Sequence, residues 1–257
     1  MKNQMLNKFM AAKETEIKFL EKLKIRNGLP DIFKGERPDL IKELKKSGPV
    51  IIAEYKKASP SRGVINSKIS ARDAAAMFFQ NQAGAVSVLT EEKYFQGSLD
   101  YIDPFVRTGL PVLRKDFIFH PLQIRQTAAT RASALLLIVR VIQSPLELKA
   151  LTELSLELGL EPVVEVFNRK ELDLAVEAGA RVILVNNRDL DRLEVDLNVS
   201  RNLVQDKSPD QAWICASGLE HKDQIAEFAG LGFDAFLIGT SIMAADDPGA
   251  KLRDLTS

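Results

Sequence analysis

The stretch PVVEVFNRKELDLAVEAGARVILVN, residues 162–186, carries one complete structural unit. It opens on a short apolar run, Pro162 to Val166, passes through a polar amphipathic segment, Arg169 to Ala178, meets Gly179 and closes on a second apolar run, Val182 to Asn186. Runs this short and this apolar read as strands buried on both faces, and the segment between them reads as the crossover helix that joins parallel neighbours.

The same texture extends in both directions. Apolar runs occur at Val50 to Glu54, Ala85 to Leu89, Val112 to Lys115, Ala134 to Ile138, Pro162 to Val166, Val182 to Asn186, Trp213 to Ser217 and Ala235 to Gly239, eight in all. Helix-like segments lie between them, for example Ala71 to Gln82, Leu122 to Arg131 and Pro145 to Leu158, and Gly84, Gly179 and Gly232 each precede a run. Eight βα units without a linker predict an α/β fold of the closed (β/α)8 barrel class rather than an open doubly wound sheet. No Gly-x-Gly-x-x-Gly follows the first run and no Walker-type loop occurs, so the main nucleotide-binding signatures are missing.

Upstream, Leu6, Phe9, Met10, Ile17, Leu20 and Leu23 recur at helical spacing, which predicts an amphipathic helix with one apolar face. A second short helix is expected from Asp39 to Lys46, after Pro38 and before Gly48-Pro49. The expected organisation is a single barrel domain over 1–257, of which 1–47 is an N-terminal helical extension.

Composition narrows the function. The 257 residues include 35 Lys plus Arg against 35 Asp plus Glu, so the net charge is zero, without the basic excess of a nucleic-acid binder. Hydrophobic residues at 46% and charged residues at 27% are ordinary globular values, which exclude a disordered chain. Cys215 is the only cysteine, which excludes a disulfide-stapled scaffold and fits a reducing compartment. Lys8, Lys13, Glu14, Glu16 and Lys18 interrupt any signal-peptide pattern, and no apolar run reaches the roughly 18 residues of a membrane span. A cytoplasmic protein without membrane association is expected.

Catalytic groups of such barrels sit at the C-terminal ends of the strands. Period-two alternation puts Ile52, Glu54 and Lys56 on one face, and the same parity joins Leu113 with Lys115, Val163 with Glu165, and Leu184 with Asn186 and Arg188. Five ionisable groups from four strands thus converge on one mouth. Repulsion between Lys56 and Lys115 would lower a lysine's proton affinity, whereas Glu54 and Glu165 would raise it; an ammonium of lowered pKa suits acid catalysis on an anionic substrate. Strands 7 and 8 end in Ser217-Gly218 and Gly239-Thr240-Ser241, where glycine lets backbone amides approach a phosphate. His120 and His221 stand alone as helix starts, which leaves no metal-ligand spacing. Cys215 and Trp213 read as core. Tyr94-Phe95 and Phe117 are candidates for an aromatic wall at the mouth.

The segments IIAEYKKASPSRG (51–63), SVLTEEKYFQGS (87–98), PVLRKDFI (111–118), VVEV (163–166), VNNRDL (185–190) and LIGTSIM (237–243) resemble the indole-3-glycerol phosphate synthase family of tryptophan biosynthesis. The resemblance runs from the N-terminal helix to the last one. It implies a carboxy-lyase that closes the indole ring of 1-(2-carboxyphenylamino)-1-deoxyribulose 5-phosphate with loss of carbon dioxide and water, using neither metal nor organic cofactor. By the same resemblance, Lys115 is the general acid, Glu165 exchanges protons during dehydration, Lys56 pairs with substrate anions and is a candidate to share the acid's duty, and Glu54 orients it and assists proton movement. Asn186 hydrogen-bonds the substrate and Arg188 faces its carboxylate. Ser59, Ser217, Gly218, Gly239 and Thr240 hold the phosphate, while Phe95, Phe117 and Leu136 line the ring site. The implied partners are this phosphorylated small molecule and, transiently, other enzymes of the tryptophan pathway. The loop Lys57 to Gly63 is expected to close over the site.

One departure stands out. The family usually reads Glu-Ser-Gly where this chain has Ala216-Ser217-Gly218, so an auxiliary carboxylate is missing. Two other readings compete: a different phosphosugar barrel such as phosphoribosylanthranilate isomerase, whose Cys and Asp pair this chain does not match, and a non-catalytic paralogue, supported by Ala216 alone.

Overall fold

The eight apolar runs close on one another in the computed structural model, which describes residues 4–142 and 144–257. The strands are β1 (Val50–Tyr55), β2 (Ala85–Leu89), β3 (Val112–Ile118), β4 (Ala134–Ile138), β5 (Glu161–Val166), β6 (Val182–Asn186), β7 (Ala212–Ala216) and β8 (Ala235–Ile238). They form a closed parallel barrel in which β1 pairs with both β2 and β8: Val50 lies opposite Ala235, and Ile52 opposite Ala85. This is the (β/α)8 architecture, preceded by α1 (Gln4–Ile25) and α2 (Leu40–Leu44). The expected 1–47 extension begins with three residues that lie outside the described ones.

Helices follow the strands: α3 (Ala71–Gln80), α4 (Glu92–Phe95), α5 (Ile102–Val106), α6 (Pro121–Ala129), α7 (Pro145–Glu157), α8 (Arg169–Glu177), α9 (Asn198–Leu203), α10 (Lys222–Leu231), α11 (Thr240–Met243) and α12 (Pro248–Thr256). Local chemistry starts them. Ser70, Ser144 and Asn168 each accept a hydrogen bond from a first-turn amide, and Pro121, Pro145 and Pro248 occupy first-turn positions that need no N–H. His120 and His221 are N-cap residues, as their positions predicted.

Side chains such as Val86, Leu135, Val164, Ile183 and Ile214 are fully buried, each stabilising the fold by roughly 1.5–3 kcal/mol relative to exposure. Trp213 and Cys215 belong to this core, and burial pushes the Cys215 thiol up to about 11. Element ends shift from expectation. β3 runs to Ile118 instead of Lys115, with a register irregularity against β4 between Arg114 and Ile118. β7 stops at Ala216, because Ser217 turns to φ 70° and leaves the sheet. α6 ends at Ala129, where Thr130 becomes extended.

The N-terminal segment is fastened to the barrel at several points. Arg37 donates from Nε to the Ala132 carbonyl at 2.7 Å and from Nη2 to those of Ala128 and Thr130 at 2.7 and 3.0 Å, which caps the C-terminal end of α6. α1 packs on α6 and β3, burying Leu6, Phe9 and Leu20. No described helix is long and apolar enough to cross a membrane.

Candidate active site

The C-terminal ends of the strands surround a cavity of about 670 Å3. Alternation along each strand delivers its polar residue there: Glu54 from β1, Lys115 from β3, Glu165 from β5 and Asn186 from β6, with Lys56 and Arg188 just beyond their strands. Ser59 lines it from the loop after β1, Ser217 and Gly218 from the end of β7, and Gly239 and Thr240 from the end of β8. Phe95, Phe117 and Leu136 form an apolar side of the same cavity.

Both lysines of the cavity are paired with glutamates. Lys56 Nζ donates to Glu54 Oε1 at 2.5 Å, and Lys115 Nζ to Glu165 Oε2 at 3.3 Å. Glu165 accepts a second bond, from Asn186 Nδ2 at 3.0 Å, while Asn186 Oδ1 accepts from Ser217 Oγ at 2.9 Å and from the Arg188 amide at 3.0 Å. The ends of β5, β6 and β7 thereby share one hydrogen-bonded chain that orients the carboxylate against the lysine. Burial disfavours the Lys115 ammonium, but attraction to Glu165 and Glu54 and the bond to Glu165 outweigh it, so its pKa stands above the ordinary lysine value. The lowered lysine pKa that suited acid catalysis in sequence terms is therefore not found at Lys115. The carboxylates of Glu165 and Glu54 override the effect of burial, and Lys115 stays protonated at neutral pH.

Backbone also lines the cavity. Gly239 lies so close to Glu54 that a Cβ there would collide with the glutamate side chain. Gly218, at φ 83°, has Val195 pressed against the space a Cβ would fill, at 2.5 Å. At these two glycines the backbone passes where a side chain would not fit. Ser241 Oγ, on the single turn of α11, is buried and has no hydrogen-bond partner among the described residues.

Sequence reasoning missed several lining groups. Phe9 of α1 stacks on Phe117 with ring centroids 4.5 Å apart and also touches Phe95, which adds the N-terminal helix to the aromatic wall. Its place on the apolar face of α1 was legible, its destination was not. Tyr94 supports this wall from behind, edge-on to Phe9 at 5.1 Å, instead of lining the cavity itself. Leu190, Leu193 and Val195 come from the loop after β6, where Arg188 bridges Val195 and donates from Nη1 to the Leu193 carbonyl at 2.6 Å. Ala216 places only a methyl group at the cavity, and exposed Glu220 supplies a carboxylate at the rim. The loop after β1 forms a small hairpin, Ala58–Ser59 against Gly63–Val64, with Pro60, Ser61 and Arg62 at the cavity.

A family model described as indole-3-glycerol phosphate synthase matches residues 6–255. The chain belongs to the indole-3-glycerol phosphate synthase family. Relatives bearing that name include one from Dehalococcoides mccartyi strain CBDB1, 42% identical over 221 residues, and one from Aquifex aeolicus strain VF5, 43% identical over 221 residues; each alignment covers 84% of this chain and 85% of the relative. Among solved structures, 3-hexulose-6-phosphate synthase from Salmonella typhimurium superposes with a TM-score of 0.63 at 15% identity, covering 80% of this chain and 96% of that one. Thiamine phosphate pyrophosphorylase from Pyrococcus furiosus gives 0.61 at 14% identity, covering 85% and 96%. At that identity the likeness shows the barrel alone. Membership of the indole-3-glycerol phosphate synthase family therefore rests on the sequence relatives, whose match takes in the strands that carry the cavity's charged residues.

Proposed function

We propose that the chain is an indole-3-glycerol phosphate synthase of tryptophan biosynthesis, which converts 1-(2-carboxyphenylamino)-1-deoxyribulose 5-phosphate to indole-3-glycerol phosphate. The observation that carries this reading is the Lys115–Glu165–Asn186 chain, facing the Glu54–Lys56 pair in a cavity with an aromatic wall on one side and glycine amides on another.

The phosphate binds at the Ser217-Gly218 and Gly239-Thr240 backbone with Ser59, and the anthranilate ring packs on Phe95, Phe117 and Leu136. Binding both ends bends the substrate until the ring carbon bearing the carboxylate faces the ketone carbon, so contacts remote from the reacting atoms supply proximity. As the new carbon–carbon bond forms, Lys115 Nζ protonates the ketone oxygen. Carbon dioxide departs from the attacked ring carbon and its bonding electrons restore the aromatic ring. The resulting hydroxyl then leaves as water, and Glu165 exchanges the protons of this step, including the one lost from the carbon next to nitrogen. Lys56, oriented by Glu54, balances the substrate's negative charge, Asn186 hydrogen-bonds the substrate, and Arg188 faces the carboxylate. The residues need no metal or organic cofactor to perform these proton transfers. Closure of the Lys57 to Gly63 loop over the bound substrate and a cytoplasmic setting belong to the same reading.

Incubating the purified protein with the substrate and following indole absorbance and fluorescence tests this. Turnover abolished by Lys115→Ala and Glu165→Gln is the expected result. Tight binding without turnover would mark a non-catalytic paralogue instead.

A further inference from the structure

Four cations line the cavity: Lys56, Arg62, Lys115 and Arg188. Two of them are already matched, Lys56 by Glu54 and Lys115 by Glu165. Asp116 also lines the cavity, but Lys13 and Arg114 occupy its carboxylate, and Glu220 is exposed at the rim. Among the described residues the guanidinium of Arg188 donates only to a backbone carbonyl, that of Leu193. Arg62 has no side-chain hydrogen bond or ion pair among the described residues, and its amide, donating to the Ser59 carbonyl at 3.3 Å, holds it in the turn of the hairpin. Two unmatched guanidinium groups thus face one cavity from loops on different strands. Burial and then the charge of Arg62 lower the pKa of Arg188, while Glu54 opposes this, so the two arginines sense each other across the mouth.

A ligand anion shared between them would remove that repulsion. The substrate under the proposed function has two anionic groups, and the phosphate has its own receptors in the Gly218 and Gly239 backbone and the unpartnered Ser241 hydroxyl. The remaining anion is the ring carboxylate, whose planar shape matches the guanidinium fork.

We propose that Arg62 grips the substrate carboxylate together with Arg188 and makes the site prefer a carboxylated ring over a decarboxylated one. The inference rests on the proposed function and adds a specificity residue to it. Its consequence is directional: once the carboxylate leaves as carbon dioxide, both arginines lose their ligand and the product is held less tightly than the substrate.

Calorimetric titration with two stable analogues tests the assignment. One is 1-(2-carboxyphenylamino)-1-deoxyribitol 5-phosphate, with the ketone reduced to an alcohol; the other lacks the carboxylate. Arg62→Ala should weaken the carboxylated analogue by about tenfold or more and leave the other unchanged, with Arg62→Lys recovering part of the loss. In turnover, KM should rise while kcat is kept. Arg62 is exposed and makes no side-chain hydrogen bond among the described residues, so an unchanged melting temperature should accompany these effects. Equal weakening of both analogues, or weakening of neither, would overturn the role of Arg62. If the unaltered protein binds neither analogue, the proposed function itself fails, a result distinct from either of those.

Discussion

Two clusters of charge meet at β3, within three consecutive residues. Lys115 looks into the cavity, where it and Glu165 form an ion pair left open to an incoming substrate. Arg114 and Asp116 belong to a closed network: Asp116 accepts from Lys13 at 2.9 Å, Arg114 at 3.0 Å and Thr90 at 2.6 Å, and Arg114 also reaches Gln126 and Thr127 of α6. Burial alone would raise the Asp116 pKa, but Arg114, Lys13 and the Thr90 bond hold it down at about 2. The difference is one of completeness. A satisfied buried network has no capacity left for a ligand and serves to dock α1, and with it Phe9, on the barrel; an incompletely satisfied one retains donors and acceptors for chemistry.

Neutralising each cluster in turn puts this contrast at greatest risk. Lys115→Met should lower kcat/KM by about 10²–10⁴-fold, the range of a lost general acid, with only a small change in melting temperature. Steady-state kinetics beside calorimetry would show it. Asp116→Ala should do the reverse in emphasis: it removes the fully buried carboxylate shared by Lys13 and Arg114 and leaves them only the partly buried Glu16, a loss of about 3 kcal/mol read by denaturant titration.

Acid should discriminate next. The folded pKa of Asp116 is depressed, so its stabilisation is fully present above the unfolded value of about 3.9 and disappears as pH falls toward 2. The stake is on the order of 2 kcal/mol, and Asp116→Asn should flatten that part of the stability–pH curve. Lys115 has the opposite sign. Its folded pKa is raised, so its contribution is present below the unfolded lysine value and is lost only as pH climbs through the higher folded one. The alkaline limb of kcat/KM in the free enzyme should accordingly begin above the ordinary lysine range, as a pH–rate profile would report. The smallest effect is expected from Ala216→Glu, which adds a carboxylate to the open cluster: a few-fold change in rate and a shifted alkaline limb, with stability nearly constant.

Much of this site was legible because strand parity is local. Knowing that Glu165 shares a face with Val163, or Asn186 with Arg188, needs only alternation, and the strand-end residues placed at the mouth in this way do line the cavity. The closed network was invisible for the converse reason. Lys13 and Asp116 are 103 positions apart, and a lysine among the charged residues of an amphipathic helix reads as solvent-facing until its partner is placed. Phe9 was recognised as apolar, but which surface it would cover depended on how α1 docks. β3 outran its expected end because Asp116, a poor strand residue by composition, is neutralised there by groups from α1, β3 itself and the end of β2.

Local order along the chain was enough to set the alternation of strands and crossover helices, the closure of eight units into a barrel, and the side chains that stand at the strand ends, since each depends on hydrophobic periodicity and backbone geometry over a few residues. Which charge answers which was settled by folding alone: that Lys115 is raised by Glu165 and Glu54, that Asp116 is matched by Lys13 of α1, and that Arg62 and Arg188 come to line one cavity. Coulomb energies fall with distance in space, and distance in space between remote segments exists only after the chain has folded.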